Sequence, residues 1–110
     1  MTNLLFICSR NSLRSPTAEH VFASWPGLLT ASAGINRGAD TPLSAELLEW
    51  ADLVFVMEPM HRRKVLSKFR AHLRDTNLIC LGIADDYEYM DPDLIELLRA
   101  RVVPHLPGQR

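Results

Sequence analysis

Eight consecutive residues concentrate the reactive chemistry of this 110-residue chain: Cys8-Ser9-Arg10-Asn11-Ser12-Leu13-Arg14-Ser15. A cysteine closes a short apolar run, an arginine follows six residues later, and a helical pattern begins directly afterwards. A loop of that length over a helix N-terminus turns several backbone N–H groups toward one point, and the helix dipole adds partial positive charge there. The expected product is an anion cradle made by Ser9, Arg10, Asn11, Ser12, Leu13, Arg14 and Ser15. Arg14 offers a planar fork matched to two oxygens of a phosphoryl group, a geometry that lysine lacks. A thiol in that positive field is expected as the thiolate, which makes Cys8 a nucleophile. The Ser15 hydroxyl can donate a hydrogen bond to its sulfur, and Asn11 tolerates the positive φ that a tight loop interior demands. A lone cysteine at a strand end is usually a small buried hydrophobe. The arginine, serine and proline at these spacings, in a strand-loop-helix context, point to chemistry instead.

Such a loop needs a rigid frame, and the sequence predicts one. Residues 3–8 (NLLFIC) read as a buried strand, and Ala18, Val21, Phe22 and Trp25 fall at helical spacing from Pro16 onward. Ser15 is the expected N-cap with Pro16 at the first helical position, and Trp25-Pro26-Gly27 should end the helix. A second strand is expected over Leu28 to Ala33. A short helix should start at Ser44 and run to about Ala51, with Leu43 and Leu48 placed as a hydrophobic staple. Residues 53–57 (LVFVM) form a third strand. Pro59 opens a third helix with Leu66, Phe69 and Leu73 on its inner face, residues 77–82 form a fourth strand, and Asp91-Pro92 starts the last helix. Leu94, Ile95, Leu98 and Val102 make that helix's inward stripe before Pro104. Strands alternating with helices are best satisfied by an α/β doubly wound, four-stranded parallel sheet covered on both faces. Ligands then bind beyond the carboxyl ends of the strands, where strand order reverses, on the rim holding the loops after Cys8, Ala33, Met57 and Gly82. With 47% hydrophobic composition, residues 1–110 are expected to make a single domain.

The formal charge of -1, from 12 Lys and Arg against 13 Asp and Glu, provides no global field for nucleic acid or an anionic membrane. No apolar run approaches the roughly 18 residues of a membrane span, and no basic start with a small-residue cleavage site opens the chain, so a cytoplasmic location is expected. In that reducing compartment Cys8 and Cys80 should be free thiols. Without a C-x-x-C pair, and with His20, His61, His72 and His105 scattered, no metal site is expected.

The chain resembles the low-molecular-weight protein tyrosine phosphatase family. The resemblance rests on Leu4-Leu5-Phe6-Ile7-Cys8, then Asn11, Arg14, Ser15, Pro16, Thr17, Ala18 and Glu19. A second marker of the family stands here as Ser32-Ala33-Gly34, and a third as Asp52-Leu53-Val54-Phe55-Val56-Met57-Glu58. The resemblance spans nearly the whole chain. It implies a three-layer, flavodoxin-like fold and a two-step phosphomonoester hydrolysis through a phosphocysteine on Cys8, with Arg14 and the loop amides stabilising the transferred group and no cofactor. The implied substrate is a phosphorylated protein or a small phosphomonoester, and a monomer is expected.

In the family an Asp-Pro-Tyr loop carries the acid, and Asp85-Asp86-Tyr87 is similar to it with Asp86 in place of proline. The acid role is assigned to Asp85, with Asp86 the near alternative and Asp91 a lesser one because it suits an N-cap. Tyr87 is the candidate substrate wall. Arg10 stands where the family usually has glycine, and family members are typically longer by several tens of residues, the missing length falling between Gly34 and Asp52. Ile35 to Thr41 contains no aromatic residue, so a shallower pocket is expected. The basic stretch His61-Arg62-Arg63-Lys64, with Lys68 and Arg70, is expected as a solvated helix face. Arsenate reduction on the same fold, and a phosphate- or phosphopeptide-binding module with little turnover, are the alternatives. The first lacks extra reactive cysteines beyond Cys80, and the second has no need of Cys8.

Overall fold

The structure, a computed structural model, describes residues 1–73 and 77–107. Four strands alternate with four helices: β1 (Thr2–Cys8), α1 (Arg14–Phe22), β2 (Leu28–Gly34), α2 (Ala45–Trp50), β3 (Leu53–Val56), α3 (Pro59–Phe69), β4 (Asn77–Cys80) and α4 (Pro92–Val102). All pairings are parallel and the sheet order is β2-β1-β3-β4. The chain therefore leaves β1 toward one edge, returns, and continues from β3 toward the other. The carboxyl ends of β1 and β3 flank the point of reversal, where loops diverge and leave a crevice. This is the doubly wound, three-layer α/β sheet expected from the alternation of strands and helices.

The pleat divides β1 between two cores. Leu4, Phe6 and Cys8 join Phe55, Met57, Ala18, Phe22, Leu94, Leu98 and Val102 on the face covered by α1 and α4. Leu5 and Ile7 join Val54, Val56, Leu48 and Val65 on the face covered by α2 and α3. Phe6 lies between Phe22 and Phe55, with ring centroids 5.9 and 5.3 Å apart. Each such fully buried ring contributes roughly 1.5–3 kcal/mol, which fastens α1 to the sheet directly behind the loop from Cys8 to Arg14. A central strand buried on both faces reads as a continuous apolar run, as residues 4–8 do.

Several boundaries differ from the sequence reading, each for a local reason. Helix α1 begins at Arg14 with Leu13 as N-cap, and no side chain caps it. Ser15 is drawn inward to Cys8 and Asn11 instead. Pro16 then sits in the first turn, where its missing N–H costs nothing. Strand β4 ends at Cys80 because Gly82 turns the chain at φ 67, although Leu81 N–H still donates to Val56 O at 2.8 Å. In α3 the residues fully buried against the sheet are His61 and Val65, while Leu66 and Phe69 are half-buried and Leu73 packs just beyond the helix. His61 thus leaves the solvated face expected for the basic stretch. Ser44 does cap α2, accepting from Leu47 N–H at 3.2 Å, and Asp91 caps α4, accepting from Asp93 N–H at 2.9 Å. Between Gly34 and Asp52 the chain holds only a turning loop, bridged from Gly34 to Pro42, and the six-residue α2.

Candidate active site

The loop from Cys8 to Arg14 is held from outside by its carbonyls. Ile35 N–H donates to Cys8 O at 3.0 Å, Asn36 N–H to Ser9 O at 2.9 Å, and Asp40 N–H to Arg10 O at 3.0 Å. Among the described residues, no hydrogen bond uses the N–H of Ser9, Arg10, Asn11, Ser12 or Leu13 as donor. A folded chain seldom leaves consecutive amides without acceptors, and beside an uncapped helix N-terminus they are suited to an anion. Asn11 adopts φ 59, the left-handed conformation its type permits. Arg10 has no positive φ, so the loop accepts its exposed side chain where the resembled family usually has glycine.

Gly34, at the end of β2, is where the loop comes closest to its support. A Cβ there would stand 2.5 Å from Ala39 Cβ, 2.8 Å from the Arg10 carbonyl carbon and 3.0 Å from Asn11 N. The Ser-Ala-Gly marker is therefore a steric requirement of the loop. Its serine acts elsewhere: Ser32 Oγ donates to Glu19 Oε1 at 2.5 Å, which joins β2 to α1.

Cys8 Sγ lies 2.9 Å from Ser15 Oγ and is 3% exposed. The same hydroxyl lies 2.9 Å from Asn11 Oδ1 and 3.4 Å from Ala33 O, but it has a single proton. Rotating the Asn11 amide by half a turn, an assignment made from hydrogen bonding, lets its NH2 donate to Ser15 Oγ. The Ser15 proton is then free for a thiolate at Cys8.

Arg14 is 2% exposed and is gripped on one side: Nη1 donates to Glu58 Oε1 at 2.5 Å and to Ile83 O at 2.7 Å. The opposite edge, Nε with Nη2, remains for a bidentate grip on two oxygens. Asp85 stands at that edge, its Oδ1 3.6 Å from Arg14 Nε and its side chain 63% exposed. Cys8, Ser9, Arg10, Ser12, Leu13, Arg14, Asn36 and Asp85 line one cavity of about 280 Å³. Asp86 is exposed, and Asp91 is committed to capping α4. Tyr87 is half-buried against the α1 and α4 core and is not among the residues lining the cavity.

Two groups of the site went unread in the sequence, Glu58 and His61. Glu58 stands at the N-cap of α3, where its backbone carbonyl receives His61 N–H at 3.0 Å, and its carboxylate aims Arg14. His61 Nδ1 accepts from Glu58 N–H at 3.1 Å, and Nε2 lies 2.8 Å from Ser9 Oγ. Burial first, and then the neighbouring Arg14, push the His61 pKa from 6.5 down to about 4, against the opposing pull of Glu58. The acid after the third strand, followed three residues later by a histidine, was the available signal.

No family model matches the chain, and no curated protein is similar to it. Solved structures are similar. A cysteine-to-serine mutant of the YwlE arginine phosphatase, carrying a phosphorylated active-site serine, is 25% identical with a TM-score of 0.74, covering 99% of this chain and 98% of that one. A low molecular weight protein tyrosine phosphatase from Bacillus subtilis is 26% identical with a TM-score of 0.68, covering 89% and 93%. The enzyme of the same description from Streptococcus pyogenes, SP-PTP, is 14% identical and shares the fold with a TM-score of 0.79, covering 98% and 95%. In fold, and along nearly its whole length, this chain is similar to low-molecular-weight protein tyrosine phosphatases.

Proposed function

We propose that the protein is a cysteine-dependent phosphatase working through a phosphocysteine. The Cys8 thiolate attacks phosphorus in line with the departing oxygen, the sulfur–phosphorus bond forms, and the phosphorus–oxygen bond breaks. Asp85 gives its proton to the leaving oxygen. Water then attacks the phosphocysteine, Asp85 takes a proton back, and inorganic phosphate departs with the Cys8 thiolate restored. Arg14 and the loop amides bind the three non-bridging oxygens, where charge is spread in the transition state. The observation that carries this reading is the Cys8 sulfur in a loop whose amides lack acceptors, beside an arginine aimed by Glu58 and the Ile83 carbonyl.

The substrate class is a phosphorylated protein or a small phosphomonoester, acted on by a cytoplasmic monomer. Two observations favour a second leaving group, the guanidinium of a phosphorylated arginine: among the described residues no aromatic ring lines the cavity, and the exposed Asp85 carboxylate stands beside Arg14 at its lining. Arsenate reduction has less support, because Cys80 lies on β4 and outside the cavity lining.

The test is hydrolysis of p-nitrophenyl phosphate in the presence of chelator, extended to phosphotyrosine and phosphoarginine peptides. Cys8→Ser should abolish turnover while inorganic phosphate still binds. Wild-type activity in Cys8→Ser would overturn the nucleophile assignment.

A further inference from the structure

The fully buried His61 takes no part in the reaction as written above, yet its ring sits against the catalytic loop. Its Nδ1 accepts the Glu58 N–H, so that nitrogen carries a lone pair and no proton. A ring held neutral by burial has its one proton on the other nitrogen, Nε2. The contact of 2.8 Å to Ser9 is therefore an Nε2–H donating to Ser9 Oγ. That settles the direction of the serine as well. Its oxygen is the acceptor in this bond, and its own proton is available to another acceptor. Ser9 follows Cys8 directly and lines the same cavity.

We propose that Ser9 Oγ–H is a side-chain donor to a phosphoryl oxygen in the cradle, aimed by His61, which is a positioning residue of the reaction. This rests on the phosphatase reading and adds to the backbone amides a hydroxyl whose orientation is fixed before substrate arrives. A donor fixed in advance needs no reorganisation at the transition state, which is the condition under which such bonds accelerate a reaction. The first turn of α3 then controls two grips at once: Glu58 aims Arg14, and His61 aims Ser9. The reciprocal bonds between Glu58 and His61 lock the two to each other.

A histidine that only capped α3 would show the same bond to Glu58, so the test separates the two ring nitrogens. In His61→Asn the amide oxygen can take the place of Nδ1 and keep the cap, but the side chain is too short to reach Ser9. In His61→Gln the amide can reach Ser9 from the place of Nε2 at the expense of the cap. Kinetics on p-nitrophenyl phosphate, inhibition by orthovanadate and thermal midpoints are measured for these variants, for Ser9→Ala, and for the double variant Ser9→Ala/His61→Asn. Loss of one hydrogen bond should lower kcat and weaken orthovanadate by roughly 3- to 10-fold in Ser9→Ala and equally in His61→Asn. The double variant should lose no more than either single one, and His61→Gln should recover activity despite a lower midpoint. The proposal is overturned if Ser9→Ala stays within twofold of wild type, if the two losses add, or if activity simply follows the thermal midpoint. If the wild type does not turn over at all, the phosphatase reading fails separately. Orthovanadate binding then decides alone: equal weakening in Ser9→Ala and His61→Asn supports the proposal, and unchanged binding overturns it.

Discussion

Gly34→Ala adds a single methyl group, and the structure assigns it nowhere to go. The nearest atoms are Ala39 Cβ at 2.5 Å, Arg10 C at 2.8 Å and Asn11 N at 3.0 Å, a methyl that cannot rotate away and two backbone atoms of the catalytic loop. Carbon atoms rest about 3.5–4.0 Å apart, so the loop and its support must separate by roughly 0.5–1 Å. Overpacking of this kind costs about 1–3 kcal/mol of stability. A displacement near 1 Å at the reacting geometry costs on the order of 10²-fold in rate. The control is Gly27→Ala, at φ 80 in the turn before β2 with nothing within 4 Å of the added methyl. It should lose stability through backbone strain alone. Thermal unfolding and kcat/KM on an aryl phosphate, measured for both, should show two destabilised proteins of which only Gly34→Ala has lost about two orders of magnitude in activity. Wild-type kcat/KM in Gly34→Ala would refute the claim that the loop is held in register by this contact. Equal losses in both would show that activity merely follows stability.

Arg14→Lys keeps the charge but cannot engage Glu58 and Ile83 O on one side while presenting a two-donor edge on the other, so kcat should fall about 10²- to 10³-fold; near-normal kinetics would show that the planar fork is irrelevant. Asp85→Asn should slow alkyl phosphates by about 10²- to 10⁴-fold and nitrophenyl phosphate much less, whereas Asp86→Asn and Asp91→Asn should do neither, as a series of leaving groups would reveal. Stability should fall on acidification through His61, which binds a proton near 6.5 when unfolded and near 4 when folded. The unfolded chain holds more protons between those values, so the contribution is complete above about 6.5 and is lost as the pH falls toward 4. It amounts to roughly 3 kcal/mol. Urea midpoints at pH 7.5 and 4.5 should therefore differ less in His61→Gln than in wild type, and an unchanged difference would contradict the neutral buried ring.

The frame was legible because its signals are local and repeated. Residues 4–8 and 53–57 read as buried strands without interruption, and Leu94, Leu98 and Val102 are all fully buried as their spacing predicts. The loop itself was legible as a set of residue types at fixed intervals, including Asn11 at positive φ. What escaped the sequence were contacts between segments far apart in the chain. Within the run His61-Arg62-Arg63-Lys64 only the spacing to Glu58 sets the histidine apart, and that spacing signals a helix cap rather than its contact with Ser9, 52 residues away. Helix α1 was misread at its start for a related reason. Ser15 is an ordinary N-cap type, but here its hydroxyl is claimed by Cys8 Sγ across the loop.

That misreading is informative about where the chain departs from its own rules. Helices α2, α3 and α4 are capped by Ser44, Glu58 and Asp91. Helix α1 is not, and the amides preceding it have no acceptor among the described residues. A buried arginine stands beside them, gripped by Glu58 on one edge and faced on the other only by the exposed Asp85 carboxylate, 3.6 Å from its Nε. Each of these features is unfavourable for an isolated fold, since open amides and a desolvated cation both cost free energy. They converge on one loop, at the sheet's point of reversal, while the rest of the molecule satisfies its polar groups: among the described residues no buried side-chain nitrogen or oxygen is left without a partner. Local violations gathered at one place in an otherwise consistent structure are the physical mark of a site built for a ligand. The sign and shape of the departure, several N–H donors and a forked cation around a sulfur, specify a tetrahedral oxyanion held for nucleophilic attack.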